Sequence, residues 1–544
     1  MSGVCAFNDL MSKNSANYVS LSPLSFIKRA ASVYPNRKAV VYNEIEYSWS
    51  ETYKRCCKLA SALKRLGVSR GDVVATMLPN VPAMYEAHFG IPMVGAVINA
   101  INIRLDAAAV AFILSHSKTK VLLVDPELAG VVSKALSLLE GRSPVVINVR
   151  DDSYTQGSEV GDLEYETLLD AETDVGGWQL PSDEWDAIAL GYTSGTTGDP
   201  KGVVTHHRGA YLNAVSNVLS WSLPQEVTYL WTLPLFHCNG WCFPWTMAAI
   251  AGTNVCLRRV DAKQIVALIK RHGVTHYCGA PIVHSMIADA VQGGVDEFSH
   301  KVHGLIAGAA PPASILERME NIGFDLTHVY GLTETYGPAA VCAKHADWDN
   351  LPLEQRVLLN GRQGVAYPLQ EEVAVLDPET LLPVPFDGET VGEIMFKGNI
   401  VMKGYLENEK ATKEAFSGGW FHSGDLAVVH PDGYLKITDR LKDIIISGGE
   451  NISSLEVESV IDSHPSVHMV AVVAMPDSKW GEVPAAFVQL RDGCAVSEAE
   501  LISYCKERLA SFKTPKKIIF ENLQTTSTGK IQKFHLRQKL AGAA

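Results

Sequence analysis

Short apolar runs alternate with helical patterns along most of the chain. Between positions 50 and 66, apolar residues recur at helical spacing, which predicts an amphipathic helix that ends at Gly67. The apolar runs at 73–78 and 121–124 have the length of buried strands. From position 255 the pattern is strand, helix, strand, helix, strand, as far as position 307. This alternation predicts an α/β fold, with parallel sheets covered by helices.

Two changes in the pattern of apolar and polar residues divide the rest of the chain. After position 367, short apolar runs are separated by Pro, Gly and Asp, which predicts a small antiparallel or barrel-like subdomain. Beyond position 439, about 100 residues of mixed helix and strand pattern suffice for a small α+β domain. The chain has 544 residues, and one hydrophobic core rarely serves more than ~250–300. We therefore predict a large N-terminal domain over residues 1–438 and a smaller, mobile C-terminal domain over residues 439–544.

Composition and charge exclude several classes of protein. With 47% hydrophobic and 20% charged residues, the chain is typical of soluble globular proteins. A formal net charge of -13 argues against a nucleic-acid binder. The most apolar stretch, 83–103, contains Glu86, His88 and Pro92, which favours a buried helix and strand over a membrane span. The ten cysteines lack metal-ligand spacing, and neither terminus matches a targeting signal, so we expect reduced thiols in a cytoplasmic protein.

A polar loop of low side-chain bulk follows the predicted strand at 188–192. Its residues are glycines or carry hydroxyl groups, namely Thr193, Ser194, Gly195, Thr196, Thr197 and Gly198. Backbone N–H groups and hydroxyls in such a loop can surround phosphate oxygens, and Lys201 adds a cation. The loop is not a Walker A motif. A flexible linker is the alternative, but linkers rarely follow a buried strand and then resume with apolar residues.

The segment from Tyr192 to Gly202 resembles the signature loop of the acyl-adenylate-forming superfamily. That superfamily contains acyl- and aryl-CoA synthetases, the adenylation domains of peptide synthetases, and firefly luciferase. Further segments similar to the family's signatures follow in the family's order, as far as Lys530. The whole chain is similar to short- and medium-chain or aromatic acyl-CoA synthetases, including benzoate-, cinnamate- and methylmercaptopropionate-type ligases. The resemblance implies an ATP-dependent carboxylate–CoA ligase that uses Mg²⁺, ATP and coenzyme A on a small carboxylic acid.

The resemblance also assigns the nucleotide contacts. The predicted neighbours of the adenine are Gly308, Ala309, Ala310 and Pro311. Tyr330 is predicted to stack on the adenine, and Gly331 is assigned to the nucleotide site as well. Small residues let the ring approach the backbone, although close helix–strand packing would need the same residues. Asp425 is predicted to accept the ribose hydroxyls, with Arg440 as the second ribose contact. By itself Asp425 could equally be a turn residue.

Three further groups are assigned to metal binding and catalysis. Glu334 is predicted to hold Mg²⁺, since this ion favours one carboxylate together with substrate phosphates, and Thr193 is predicted to complete the metal shell. Thr333 is predicted to bond the α-phosphate. Lys530 matches the family's catalytic lysine, which stabilises charge during in-line displacement. In this chain Gln524 stands where the family usually has proline.

The acyl pocket is assigned to residues that follow another predicted strand and enter an apolar helix. By resemblance His237 and Trp241 line this pocket, and Gly331, Gly337 and Pro338 face them. His237 is also assigned to catalysis, together with Thr333 and Lys530. Without the resemblance, the histidine and tryptophan would be ordinary core residues. Trp241 would shorten the pocket, which favours small or flat acids, although an apolar pocket discriminates one methylene by only ~1–3 kcal/mol.

The two half-reactions of such an enzyme share one site. By resemblance Lys442 is the hinge of a rotating C-terminal domain, and Gly448 and Gly449 line the pantetheine tunnel in the second state. A plain turn between strands is compatible with the same glycines. Two other functions are carried as alternatives: an adenylating enzyme that loads a carrier protein, and a non-catalytic nucleotide-binding protein. The second predicts loss of the key polar residues, which are all present. The sequence leaves open whether the chain forms a homodimer.

Overall fold

A computed structural model describes residues 11–173, 177–193, 200–291, 298–308, 311–525 and 531–541. Its strands form two large sheets of nine and eight strands, an antiparallel sheet of four strands and a C-terminal sheet of five strands. This arrangement confirms the predicted α/β class. Among the described helices, none combines the length and apolarity needed to cross a membrane.

The first part of the chain contributes strands to both large sheets. Its elements are α1 (Leu24–Val33), β1 (Lys38–Tyr42), β2 (Ile45–Ser48), α2 (Trp49–Arg65), β3 (Val73–Met77), α3 (Pro82–Met93), β4 (Val97–Ala100), α4 (Ala107–His116), β5 (Val121–Val124), α5 (Ala129–Ser137), β6 (Val145–Asn148), β7 (Leu163–Glu164), α6 (Tyr165–Asp170) and β8 (Ala187–Thr193). Helix α2 begins at a capping box, in which Ser48 and Glu51 satisfy each other's backbone N–H groups. Every residue of α3 is buried, including Glu86 and His88, in agreement with the buried helix that the stretch 83–103 predicts.

The second part adds further strands to the two large sheets. Its elements are β9 (Lys201–His206), α7 (His207–Ser220), β10 (Thr228–Leu230), α8 (Cys238–Trp241), α9 (Phe243–Ile250), β11 (Thr253–Val255), α10 (Ala262–His272), β12 (His276–Gly279), α11 (Pro281–Ala290), β13 (Val302–Ile306), α12 (Ala313–Asn321), β14 (Phe324–Leu332), β15 (Gly337–Val341) and α13 (Leu353–Asn360). The nine-stranded order is β16-β15-β14-β13-β12-β10-β11-β1-β2, where β16 is Val365–Ala366. Strands β14 to β1 run parallel, so their carboxyl ends share one edge.

The region after position 367 forms the antiparallel sheet that its short apolar runs, separated by Pro, Gly and Asp, predict. Its elements are β17 (Glu372–Leu376), β18 (Gly392–Lys397), β19 (Gly404–Tyr405), α14 (Glu409–Ala415), β20 (Phe421–Val429) and β21 (Leu435–Arg440). The sheet order is β17-β18-β20-β21, whereas β19 joins the eight-stranded sheet beside β9. The domain boundary predicted after residue 438 lies within β21, and it stays a prediction.

The C-terminal elements form an α+β unit around one sheet. They are β22 (Ile445–Ser447), β23 (Glu450–Ile452), α15 (Ser454–Asp462), β24 (Val467–Asp477), β25 (Gly481–Leu490), α16 (Glu498–Lys506), β26 (Lys517–Phe520) and α17 (Lys533–Ala541). Two apolar clusters cover the faces of this sheet, and their members all lie between residues 445 and 540.

Candidate active site

The predicted phosphate loop joins two paired strands. Strands β8 and β9 are antiparallel, and Thr193 lies opposite Lys201 in their register. The two ends of the loop are therefore held together by the sheet. Residues 194–199, which include the predicted Ser194 and Thr196, lie outside the described residues.

The predicted ribose contacts form one hydrogen-bonded group. Asp425 of β20 lies directly opposite Arg440 of β21, and Nε of Arg440 is 3.0 Å from Oδ1 of Asp425. The hydroxyl of Tyr330 donates to Oδ2 of the same carboxylate over 2.6 Å. The structure therefore brings together three residues that are far apart in sequence. Asp425 lies within a strand rather than in the turn that its sequence neighbourhood allows.

Burial keeps the hydroxyl of Tyr330 protonated. Desolvation raises the pKa of Tyr330 well above its ordinary value, and the neighbouring negative charge of Asp425 adds to this effect. The tyrosine therefore acts as a donor to the carboxylate. Its ring stacks on Phe396 with a centroid distance of 6.0 Å. Stacking of this ring on adenine remains a prediction.

Glu334 lies in a short 3₁₀ turn that connects β14 to β15. The hydroxyl of Thr335 accepts a hydrogen bond from the backbone N–H of Leu332 over 2.9 Å and fixes this turn. One carboxylate oxygen of Glu334, Oε1, accepts a hydrogen bond from the hydroxyl of Tyr405 over 2.9 Å. Burial raises the pKa of Glu334, and both this hydrogen bond and the charge of Lys201 oppose the rise.

Tyr405 is the site residue that the sequence interpretation missed. It belongs to β19, which pairs with β9 so that Tyr405 lies opposite Val203. The ammonium of Lys201 lies over its ring, 4.8 Å from the centroid. A tyrosine after glycine in a short apolar run carries little signal, so only the fold reveals its position.

The donor set around Glu334 suits a metal that arrives with a nucleotide. Within the described part of the chain, no group of three or more His, Cys, Asp or Glu side chains could hold a metal ion. Glu334 offers a single enclosed carboxylate beside the cation of Lys201. This arrangement fits Mg²⁺, which takes one or two protein carboxylates and completes its shell with phosphates and water.

The wall of the predicted acyl pocket departs from the regular helix that the sequence predicts. The backbone of α8 is left-handed, with φ values of 41° at Cys238, 43° at Asn239, 57° at Gly240 and 53° at Trp241. Such geometry costs roughly 1–2 kcal/mol per non-glycine residue and concentrates at functional sites. A regular right-handed helix, α9, begins only at Phe243.

The left-handed turn brings the pocket wall against the predicted α-phosphate group. The sulfur of Cys238 lies 3.5 Å from Oγ1 of Thr333 and 3.9 Å from Nε2 of His237. The acyl and phosphate groups of a substrate would therefore meet at this place. Trp241, which is 5% exposed, lies in the same turn.

One glycine permits a close approach within the β14–β15 hairpin, and a second permits a close approach between this hairpin and the turn. A Cβ atom at Gly331 would lie 1.9 Å from the carbonyl oxygen of Gly337. A Cβ atom at Gly337 would lie 3.0 Å from Cα of Trp241, and the φ angle of Gly337 is +112°. Gly331 pairs with Pro338 across the hairpin. The structure thus brings together the predicted residues on both sides of the acyl pocket.

The remaining predicted residues lie on other segments. Gly308 follows β13, the neighbour of β14 in the sheet, and Pro311 is buried. Ala309 and Ala310 lie outside the described residues, as does Lys530, although the flanking Thr525 and Ile531 form a bridge. Their roles stay predictions.

Two predicted groups belong to the C-terminal region. Lys442 is exposed in the turn that follows β21. Gly448 and Gly449 form the two-residue turn between β22 and β23, with φ values of +61° and +91°. A turn with two positive φ angles is typical of tight hairpins. This geometry is compatible with a tunnel wall and with a plain turn.

Comparison with known families places nearly the whole chain. Residues 27–406 match the family model described as AMP-binding enzyme. Residues 456–530 match the model described as AMP-binding enzyme C-terminal domain.

Similar proteins are carboxylate–CoA ligases. A peroxisomal acetate/butyrate–CoA ligase of Arabidopsis thaliana is 50% identical over 98% of this chain and 96% of its own length. A peroxisomal trans-cinnamate:CoA ligase of Petunia hybrida is 45% identical over 97% of this chain and 96% of its own. The o-succinylbenzoate CoA synthetase of Bacillus subtilis, solved with its acyl-adenylate intermediate, is 28% identical. It superposes with a TM-score of 0.80 over 95% of this chain and 97% of its own.

The same Bacillus subtilis synthetase has also been solved with ATP and a magnesium ion, and it is 27% identical with a TM-score of 0.80 over 95% of this chain and 99% of its own. The sequence matches and the structural similarity show an ATP-dependent acid–thiol ligase, a family for which ATP and coenzyme A are substrates. The chain belongs to the AMP-binding enzyme family, the acyl-adenylate-forming superfamily that its signature loop resembles.

Proposed function

We propose that this ligase activates short- or medium-chain or aromatic carboxylic acids through an acyl adenylate. The observation that carries the proposal is the contact between the two halves of the site. The α-phosphate candidate Thr333 lies against Cys238 of the acyl-pocket wall at 3.5 Å. Glu334 follows Thr333 directly in sequence, so the reacting carboxylate and the metal-bound phosphates of ATP would meet there.

In the first half-reaction, an oxygen of the substrate carboxylate attacks the α-phosphorus of ATP. The bond from this phosphorus to the bridging oxygen breaks, and pyrophosphate leaves. Asp425 and Arg440 would hold the ribose, Thr333 would bond the α-phosphate, and Lys530 would stabilise the developing charge. Mg²⁺, held by Glu334 with Thr193, would neutralise phosphate charge.

In the second half-reaction, the sulfur of coenzyme A attacks the acyl carbon and AMP leaves with the bonding electrons. The thiol proton passes to solvent. We propose that the C-terminal domain turns about Lys442 between the two steps, and that the hairpin of Gly448 and Gly449 then lines the path of the pantetheine arm. A small domain that can pack in two positions allows one active site to serve two successive reactions.

The size of the acid is proposed to be set by Trp241. Its side chain is 5% exposed and its backbone lies against Gly337. An indole fixed at this point would close the pocket at a short distance from Thr333. Small aliphatic or flat aromatic acids would fit, and the named activities of the Arabidopsis and Petunia relatives are of both kinds.

The cellular location is proposed to be the cytoplasm, and the peroxisome is the alternative because both plant relatives are named as peroxisomal. Imaging of the full chain with a fluorescent tag at either terminus distinguishes the two. A homodimer stays a separate proposal, which sedimentation of the purified chain tests.

The proposed reaction is tested by pyrophosphate release with a panel of acids, with and without coenzyme A. The panel contains propionate, hexanoate, methylmercaptopropionate, benzoate, cinnamate and palmitate. Turnover that requires coenzyme A and favours a small or flat acid would support the proposal. Pyrophosphate release without coenzyme A-dependent turnover would instead indicate a carrier protein or another acceptor. Preference for palmitate would contradict the assigned pocket.

A further inference from the structure

Tyr405 touches two groups of opposite charge at the phosphate end of the site. Its hydroxyl donates to Oε1 of Glu334 over 2.9 Å. The ammonium of Lys201 lies over its ring, 4.8 Å from the centroid. One side chain therefore connects Lys201, the first residue of β9 after the predicted phosphate loop, with the candidate metal ligand.

The backbone of Tyr405 is fixed from two sides. Strand β19 pairs with β9, and Tyr405 lies opposite Val203. Because side chains alternate along a strand, Val203 and Lys201 share one face of β9, so Tyr405 is a diagonal neighbour of Lys201. The backbone N–H of Tyr405 also donates to the hydroxyl of Thr412 over 3.0 Å. The tyrosine is thus held in place independently of Glu334.

We propose that Tyr405 is a positioning residue for the magnesium-bound pyrophosphate part of ATP, an inference that rests on Glu334 being the metal ligand as proposed above. The hydroxyl orients the Glu334 carboxylate, and the ring keeps the Lys201 ammonium at a set distance from it. Outer partners of this kind typically change metal affinity or activity by about 10- to 100-fold when they are removed.

The same contacts would also serve a role in which Tyr405 obstructs Glu334, and this role predicts the opposite change in affinity. If the hydroxyl merely occupied the carboxylate in the absence of a metal, its removal would free Glu334. The affinity for magnesium-bound ATP would then rise. The sign of the change therefore decides between positioning and obstruction.

The test is the Tyr405→Phe variant of the full chain, titrated with ATP plus excess Mg²⁺ by calorimetry, with acid and coenzyme A absent. We expect about a tenfold loss of affinity for magnesium-bound ATP. The affinity for AMP should be unchanged, because AMP lacks the pyrophosphate and keeps its ribose contacts. Tyr405→Leu should lose about a further two- to fivefold with ATP, because the ring contact to Lys201 also disappears. This measurement involves no turnover.

Tyr434→Phe is the matched control. The Tyr434 hydroxyl donates to the carbonyl oxygen of Ala343, and the guanidinium of Arg362 lies 4.3 Å from its ring centroid. The variant therefore removes the same kind of hydroxyl beside the same kind of cation–ring pair. Both nucleotide affinities should stay as in the unmodified chain.

Glu334→Gln separates failure of this inference from failure of the metal assignment. If Glu334→Gln weakens binding of magnesium-bound ATP and Tyr405→Phe leaves it unchanged or tighter, the positioning role is overturned and the metal site stands. If neither variant changes it, both proposals are overturned. Equal losses for ATP and AMP in Tyr405→Phe would also overturn the inference, since they would indicate a general structural role.

Discussion

Replacing Trp241 by glycine should shift the acid preference toward longer chains. Trp241 is almost fully buried, at 5% exposure, so removal of its indole would open space in the proposed acyl pocket beside Gly337. Each methylene that enters an apolar space gains about 0.8 kcal/mol. An acid with two more methylenes should therefore gain ~1.6 kcal/mol, which corresponds to about a 15-fold change in relative kcat/KM.

The backbone decides which small residue is the better replacement. Trp241 has a φ of 53°, which costs roughly 1–2 kcal/mol for any residue other than glycine. Loss of a buried tryptophan side chain costs about 3–5 kcal/mol through cavity formation. Both replacements create the cavity, but glycine removes the backbone cost of the positive φ angle and alanine retains it. Trp241→Gly should therefore have a higher melting temperature than Trp241→Ala, while both variants show the shift in acid preference.

The assay compares pyrophosphate release with butyrate and with hexanoate in the presence of coenzyme A. The control is Trp185→Gly, because Trp185 is 48% exposed and its ring contacts that of His206 at the end of β9 remote from the phosphate loop, with a centroid distance of 4.2 Å. The control should keep the original ratio. An unchanged ratio in a folded Trp241→Gly variant would refute the assignment of Trp241 to the acyl pocket.

Three further predictions concern catalysis, nucleotide binding and pH. Lys530→Ala should abolish adenylation and largely preserve thiolysis of supplied acyl-AMP; equal loss of both steps, measured separately, would contradict its role. Asp425→Asn removes the charge that faces Arg440 at 3.0 Å, so the KM for ATP should rise about tenfold with an unchanged KM for the acid. Six histidines have pKa values lowered by burial to about 4 or 3, namely His88, His206, His207, His276, His284 and His328. Since the unfolded chain binds protons at these groups below pH ~6.5 and the folded chain does not, each histidine should destabilise the fold by about 1 kcal/mol at pH 5.5. The melting temperature should fall steeply from pH 6.5 to 4, and a flat profile would exclude this cause.

Local patterns predict most of the regular structure. The strand run at 121–124 coincides with β5, the run at 73–78 extends one residue beyond β3, and other elements differ from their predicted ends by a few residues. Such elements depend on apolar spacing and end signals, which lie within a few residues of one another. The same is true of the phosphate loop, since its composition and its flanking strands are adjacent in sequence.

Contacts between distant segments could not be predicted in this way. The hydrogen bond between Tyr330 and Asp425 spans 95 residues, and that between Tyr405 and Glu334 spans 71. Both depend on which strands pair, and the chain's local pattern does not specify this. The left-handed turn at Cys238–Trp241 was also missed, because packing against the β14–β15 hairpin imposes a conformation that these residues do not favour on their own.

The contacts of the last helix bear on how the two proposed steps exclude each other. Helix α17 begins three residues after Lys530. Its Arg537 pairs with Asp443, the residue after the proposed hinge. Its Lys533 lies 2.7 Å from Oε1 of Glu458 on α15. The helix is therefore fastened to the segment that directly follows Lys442.

These ion pairs are partly buried, so breaking one of them should cost more than breaking an exposed surface pair. The side chains of Lys533 and Glu458 are 16% and 15% exposed, and removing one partner would leave the other charge partly buried. If the C-terminal domain turns about Lys442 as proposed, these ion pairs would make α17 and the Gly448–Gly449 hairpin move together. The attachment of α17 therefore predicts that the two proposed steps alternate by movement of one unit, and not by separate movements of the helix and the hairpin.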